Sequence, residues 1–187
     1  TVSDILTREA FENAIVIHAA MGGSTNAMLH LPSIARELGI QIEPELFDRV
    51  NHQVPHLASI QPGGKHLTES FYFAGGVPRL QCLLKEYLHL DAMTVTGRTL
   101  GENLEWIVRD GFFQRNEGYL HNYGLERRDV ICDPADAAEC GSVAVLRGNL
   151  APQGAVMKYA ACREDMRAHC GPCTVSYTHL RAHETLS

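Results

Sequence analysis

Apolar residues recur at helical spacing through the first third of the chain. In "TREAFENAIVIHAAM", Phe11, Ile15 and Ala19 fall on one face with Ala14 and His18 beside them. Thr7 is placed to cap this helix, Glu9 suits its first turn, and Gly22-Gly23 predicts its end. The next run, "STNAMLHLPSIAREL", keeps helical spacing through Met28, Leu29, Leu31, Ile34, Ala35 and Leu38 until Gly39. Pro32 lacks a backbone donor and crowds the preceding turn, so a kink or restart is expected there. Pro44 opens a short helix, "PELFDRVNH", that Pro55 closes, and "IQPGGKHL" reads as a loop.

"VPRLQCLLKEYL" is amphipathic through Val77, Leu80, Leu83, Leu84 and Tyr87, with Pro78 suited to the first helical position. "AMTVT" then reads as a buried strand. Thr99 and Glu102 have capping-box spacing at the front of "TLGENLEWIVRD", which gives a strand, turn and helix unit. From Gly111 to Arg128 the pattern is polar, aromatic and aperiodic, as in a connection between lobes, and a boundary is expected near Arg128. Beyond it "DVIC", "SVAVLRG" and "GAVMKYAA" are short β-branched runs separated by turns. The pattern predicts an α/β protein with a mainly helical first part and a β-rich second lobe.

Composition narrows the partners. Hydrophobic residues are 45% and charged residues 20% of 187, as in a globular chain with a sizeable core. A net charge of -6 provides no basic field for a nucleic acid or an anionic membrane surface. No apolar run approaches the roughly 20 residues of a membrane span, and "TVSDILTREAF" has no basic region leading an apolar one, so a cytoplasmic location is expected. Six cysteines, Cys82, Cys132, Cys140, Cys162, Cys170 and Cys173, are too few for a disulfide scaffold. Only Cys170 and Cys173 share a ligand-like spacing, and no second pair completes a zinc site.

The most pointed chemistry lies in "MGGSTNAML". Two glycines allow a sharp turn, and Ser24, Thr25 and Asn26 crowd the start of the next helix, where unpaired amides could receive a carboxylate or phosphate. The same residue types are the preferred helix caps, which is their commoner use. "LRGNLAPQGAV", with Gly148, Asn149, Pro152 and Gly154, reads first as a structural turn between strands. "FAGGVP" could approach a ligand closely, but a lone Gly-Gly more often serves packing. His18 and His30 could line a site, although a lone helical histidine is more often part of the packing. Lys158 could meet an anionic substrate, with solvation at a strand end the commoner outcome. No Ser/His/Asp order, catalytic carboxylate pair or phosphate loop is present, and no residue is assigned as catalytic or as a metal ligand.

Taken in order, "ILTREAFENAIVIHAAMGGSTNAMLHLPSIARELGI", "ESFYFAGGVP", "LDAMTVTGRTLGENLEW" and "VAVLRGNLAPQGAVMK" resemble the middle of the dihydroxy-acid and sugar-acid dehydratases, the family that includes phosphogluconate dehydratase. The resemblance runs from about Ile5 to His169. It implies residues 1–127 as the C-terminal part of the N-terminal α/β domain and 128–174 as the start of a β-rich, barrel-like domain. It also implies an iron-sulfur hydro-lyase that turns a 2,3-dihydroxy acid into a 2-keto-3-deoxy acid. In that chemistry a magnesium ion holds the carboxylate end and a cluster iron assists the departing hydroxyl. The cluster and magnesium ligands are expected upstream of the matched region and the proposed base, a serine, downstream, so this chain alone is expected to be inactive. Gly23, Ser24, Thr25 and Asn26 become candidates for the substrate-facing wall. "ESFYFAGGVP" and "LDAMTVTGRTLGENLEW" look closer to the sugar-acid (aldonate) branch than to the branched-chain amino-acid branch. A homo-oligomer acting on a small-molecule sugar acid is implied for the complete enzyme, with no nucleic acid or membrane partner. The competing readings are a dihydroxy-acid dehydratase of branched-chain amino-acid biosynthesis and a non-catalytic binding module derived from the same fold.

"HCGPC" carries a Cys-x-x-Cys, but a redox motif needs a strand before it and a helix after it, and the family has no need of thiols there. The closing "VSYTHLRAHETLS" fits no element of the pattern. Residues 175–187 are expected to be a non-native tail resembling translated adapter sequence.

Overall fold

Helix formation follows the apolar spacing closely at the start of the chain. The computed structural model describes residues 1–137, 141–162, 165, 168 and 170. A short α1 (Val2–Ile5) leads into α2 (Arg8–Met21), where the Thr7 hydroxyl accepts the Ala10 amide and Gly22 ends the helix in the left-handed region at φ 69°. This is the most deeply set helix, burying Phe11, Ile15, Val16, Ile17, Ala19 and Ala20. Next come α3 (Ala27–Glu37), α4 (Pro44–Gln53), α5 (Thr68–Phe73) and α6 (Gly76–Leu83). Pro44 opens α4 as its spacing predicts. In α6 the first position belongs to Gly76, so Pro78 falls within the first turn, where its missing donor is equally harmless.

Pro32 does not interrupt its helix; α3 runs through it. The helix starts later than the pattern suggests, at Ala27, because Ser24 to Asn26 are spent in a tight turn. The Ser33 hydroxyl also bonds the Leu29 carbonyl at 2.7 Å, tying together the turn around the proline.

Other expectations fail for identifiable reasons. "AMTVT" is not a buried strand: Val95 is 86% exposed, and the only pairing is an isolated Met93–Thr99 bridge among the described residues. Thr94 instead turns back, its amide and hydroxyl both reaching the Arg98 carbonyl at 2.9 and 2.8 Å, with Gly97 at φ 75° closing the turn. A β-branched run without a neighbouring strand has no ladder to join, so local side-chain bonds win. Gly111 to Arg128 is not an irregular connection either. It forms α8 (Phe112–His121) after α7 (Leu100–Arg109), then leads into α9 (Arg127–Val130). Only Phe113, Asn116 and Leu120 of α8 are buried, a stripe too narrow for its aromatic, mixed surface to show a period.

The Thr99–Glu102 capping box at the front of α7 forms in both directions, at 2.8 and 3.2 Å. "DVIC" is also not a strand: Asp129 and Val130 close α9, and Ile131 makes one bridge to Ala58. Val130 and Ile131 are fully buried with Ile15, Phe47, Leu57, Leu80, Leu84 and Leu120, so the helical core continues across residue 128.

Beyond that core, β1 (Ala144–Gly148) and β2 (Ala151–Met157) form an antiparallel hairpin, pairing Ala144 with Met157 and Val145 with Val156. "NLAPQG" is therefore mostly strand, with only Asn149 and Leu150 at the tip. This hairpin is the whole sheet among the described residues, giving a mixed helix and strand fold in which the barrel-like character of the second lobe stays an expectation. Buried Asn51 on α4 docks it. The Asn51 carbonyl accepts the Gly141 amide at 2.6 Å, its side-chain oxygen accepts the Val143 amide at 3.0 Å, and its amide group donates to Phe47. Arg147 on β1 adds an exposed ion pair with Glu45 on α4.

Candidate functional site

The turn between α2 and α3 is built by backbone geometry before any side chain acts. Gly22 takes a positive φ that other residues reach only at a cost, and the amides of Gly22 and Gly23 both return to the His18 carbonyl. Gly23 has no room for a side chain. A Cβ there would lie 2.8 Å from His18 Nε2 and closer still to Cδ2. The His18 ring, 6% exposed, packs edge-on to Phe47 at 6.2 Å between ring centres, and its Nε2 lies 2.8 Å from the Ser24 carbonyl oxygen.

The amides expected to be open at the start of α3 are already used. Ala27, Met28 and Leu29 donate to the carbonyls of Ser24, Thr25 and Asn26 at 3.0 to 3.1 Å, and the Asn26 amide meets the Ser24 hydroxyl at 3.3 Å. Asn26 occupies the cap position in a helical conformation without a side-chain cap bond. Helix-terminal amides are thus not the anion receiver here. What the turn offers a ligand is the Ser24 hydroxyl and the half-buried or exposed side chains of Thr25 and Asn26.

Gly23 and Ser24 lie on the wall of a groove of about 660 Å³ between α2, the start of α3, α6 and the Thr94 turn. Its wall is dominated by apolar side chains, including Leu6, Ile17, Met21, Leu31, Val77 and Met93. The polar ones are mostly occupied. Asn13 exchanges two bonds with the His89 backbone at 2.8 and 3.0 Å, the Thr94 hydroxyl holds the Arg98 carbonyl, and His18 holds Ser24. Thr25 and Asn26 stand outside the groove wall, so the four candidate residues divide two and two.

Behind the turn lies a lysine with two buried imidazoles, a grouping that the sequence pattern does not announce. Lys158, just past β2, donates from Nζ to the Gly22 carbonyl at 2.7 Å. His56 stands against the other face of Gly22, where a Cβ would come within 2.9 Å of its Nε2, and the Ser142 Cβ lies 3.7 Å from the same point. His18 Nδ1 and Ser142 Oγ are buried without partners among the described residues. Lys158 is therefore not the solvated strand-end lysine its position suggests. His56 and Ser142 carry no sequence signal, because His56 reaches Gly22 through the pairing of the Leu57 and Ala58 amides with the Ala20 carbonyl, and Ser142 through the docking of residues 141 and 143 on Asn51. His30 is exposed on α3, away from the groove wall.

Burial pushes the His18 imidazole below its ordinary value against the opposing bond to Ser24, and nearby Lys158 adds to the depression. His56 is lowered by burial and then by Lys158. The folded chain thus binds fewer protons than the unfolded chain in mildly acidic solution. The stability these imidazoles contribute is complete above the unfolded histidine value of about 6.5 and is lost as pH falls below it through the depressed folded values. Melting temperature should be level from pH 8 to 7 and fall progressively below about 6.5. A His18→Asn, His56→Asn double variant should flatten that decline, and an unchanged slope would exclude this pair as its source.

The remaining motifs are structural. Gly75 at φ 106° would place a Cβ 2.9 Å from the Phe113 ring, so "FAGGVP" serves close packing. That ring is itself covered by the Arg79 guanidinium at 3.9 Å. Burial raises the thiols of Cys82 and Cys132 above their ordinary value, which keeps them protonated. Among the described residues no group of three or more His, Cys, Asp or Glu side chains is placed to hold a metal ion. "HCGPC", apart from exposed Cys170, and residues 175–187 lie outside the described residues.

Two family models match the chain. Residues 1–103 match "Dihydroxy-acid/6-phosphogluconate dehydratase N-terminal", and residues 129–187 match the C-terminal counterpart. The chain belongs to this dehydratase family. Among curated relatives, a dihydroxy-acid dehydratase of Caldicellulosiruptor bescii is 42% identical over 175 residues, covering 92% of this chain and 29% of that protein. One from Methanosarcina barkeri is 42% identical over 175 residues, 94% of this chain and 30% of the relative. One from Methanococcoides burtonii is 39% identical over 186 residues, 100% of this chain and 32% of the relative. The chain therefore spans about three tenths of the length of these relatives.

Each of these relatives is named a dihydroxy-acid dehydratase, the branch set against the expected sugar-acid one. The segments that suggested the sugar-acid branch are largely committed to capping, turning and packing, through Gly75, the Thr94–Arg98 turn and the Thr99–Glu102 box. Residues fixed by backbone needs carry little information about a substrate. No helix among the described residues is long and apolar enough to cross a membrane.

Proposed function

We propose that this chain is the central part of a dihydroxy-acid dehydratase acting on a short, branched 2,3-dihydroxy acid, with Gly23 and Ser24 on the substrate-facing wall and Thr25 and Asn26 at its margin. The observation that carries the reading is the character of the groove beside the turn. Its wall is mainly apolar, and three of its polar side chains are already engaged with the backbone. A polyhydroxylated sugar acid would bury hydroxyls without partners there, at about 1–3 kcal/mol for each one left unpaired. A branched aliphatic acid would gain from the same wall. The names of the relatives point the same way.

The reaction removes the proton on the carbon beside the carboxylate and the hydroxyl on the next carbon, releasing water and leaving an enol that becomes the 2-keto acid. The iron-sulfur cluster and magnesium ion belong to this proposal as cofactors of the complete enzyme. The described residues do not fit either group, and no step is assigned through them. A cytoplasmic homo-oligomer, acting on a small molecule without nucleic acid or membrane partners, completes the reading.

The test is a titration of the purified chain with 2,3-dihydroxy-3-methylbutanoate and, separately, gluconate, followed through the methyl signals of Ile17, Met21 and Leu31. Saturable shifts with the branched acid and none with gluconate are expected. Equal or stronger shifts with gluconate, or none with either acid, would overturn the assignment of this groove.

A further inference from the structure

We infer that Lys158 is the positioning residue of the Gly22–Asn26 turn, holding the substrate-facing wall in place from the hairpin; this rests on reading that turn as the wall. Carbonyls at the end of a helix have no partner within it, and a cation there meets the negative end of the helix dipole. The Gly22 carbonyl, just past the end of α2, receives such a partner in the Lys158 ammonium at 2.7 Å. Two residues further on, His18 holds the Ser24 carbonyl at 2.8 Å. The turn is thus gripped at two carbonyls, once from its own helix and once from the hairpin.

The lysine is held in place for this task. Asn51 fixes residues 141 and 143, and the Ala160 amide returns to the Ser142 carbonyl at 3.1 Å, so the backbone on both sides of the hairpin is docked. Lys158 is half-buried, and charge-assisted bonds strengthen when partly withdrawn from water. His56 and Ser142 both crowd the position that a Cβ on Gly22 would take. The two family matches also meet here: Gly22 lies within residues 1–103 and Lys158 within 129–187. The wall consequently takes its final shape only when the second region docks on the first.

The experiment compares Lys158→Met, Lys158→Arg and Arg147→Met in the full chain by amide hydrogen exchange, read at Gly23, whose amide bonds the His18 carbonyl. Arg147→Met removes the ion pair between the hairpin and α4 without touching the turn. Lys158→Met should speed Gly23 exchange by about tenfold or more, while Lys158→Arg and Arg147→Met stay within about threefold of the parent. Lys158→Met should also move the His18 imidazole titration upward, since a neighbouring cation is lost. An unchanged Gly23 rate would overturn the inference, as would equal acceleration by Arg147→Met, which would mean that hairpin docking alone sets the turn. If Lys158→Met does not fold, Lys158→Gln is read against Lys158→Arg by the same criteria, and failure of arginine to restore protection overturns the assignment. Neither readout involves substrate, so its failure is distinct from failure of the acid titration.

Discussion

Phe47→Ala should cost about 3–5 kcal/mol of stability, the largest effect expected from any single change considered for this chain. Phe47 is 1% exposed and among the largest fully buried side chains. It stands on α4, which packs against α2, and its ring supports His18 edge-on. Truncation leaves a cavity that close-packed neighbours fill only in part, and domains of this size have about 5–15 kcal/mol in total. Urea denaturation followed by circular dichroism would measure the loss. Phe47→Leu, which keeps most of the volume, should lose much less. A loss below about 1 kcal/mol for the alanine variant would show that the core is not closed around this ring. Because His18 leans on Phe47 and holds Ser24, the alanine variant should also lower the protection of amides in the Gly22–Asn26 turn.

Gly23→Ala should cost about 2–3 kcal/mol, although alanine is ordinarily the milder residue for a helical protein. The added methyl would meet the His18 ring at Cδ2, with Nε2 2.8 Å away. The ring has nowhere to retreat, since Phe47 lies at its edge and the site is buried. Either the ring tips away and releases the Ser24 carbonyl, or the turn shifts as a unit. In both cases the groove wall changes shape, so binding of the branched acid should weaken along with stability. The comparison is Gly39→Ala, which meets nothing within 4 Å but carries a φ of 73°. That variant tests backbone strain alone, should cost about 1 kcal/mol, and should leave acid binding unchanged. Equal binding losses in the two variants would disconnect the His18 contact from the site.

The elements that could be read from the chain are those specified by local chemistry. Thr7 with Gly22 bounds α2, Pro44 opens α4, and Thr99 with Glu102 opens α7, each through contacts within a few residues. The elements misread are those whose state depends on a distant partner. "AMTVT" has strand-forming residues but no strand beside it, and "DVIC" reaches the core as a helix end with a single bridge. Helix α8 buries one narrow stripe, so its pattern resembles a linker until α5 and α7 are placed against it.

The candidate site divides in the same way. Gly23, Ser24, Thr25 and Asn26 stand out in the sequence because glycines and short polar side chains mark a sharp turn at a helix start. The order of the motifs also suffices to reach the dehydratase family. Only the tertiary structure decided that the helix amides are consumed within the turn, that Gly23 and Ser24 face a mainly apolar groove, and that Lys158 reaches back to Gly22. The physical reason is range. Caps, turns and periodicity act over a few residues and are written locally, whereas a bond between residues 22 and 158 exists only after the core and the hairpin have closed around it.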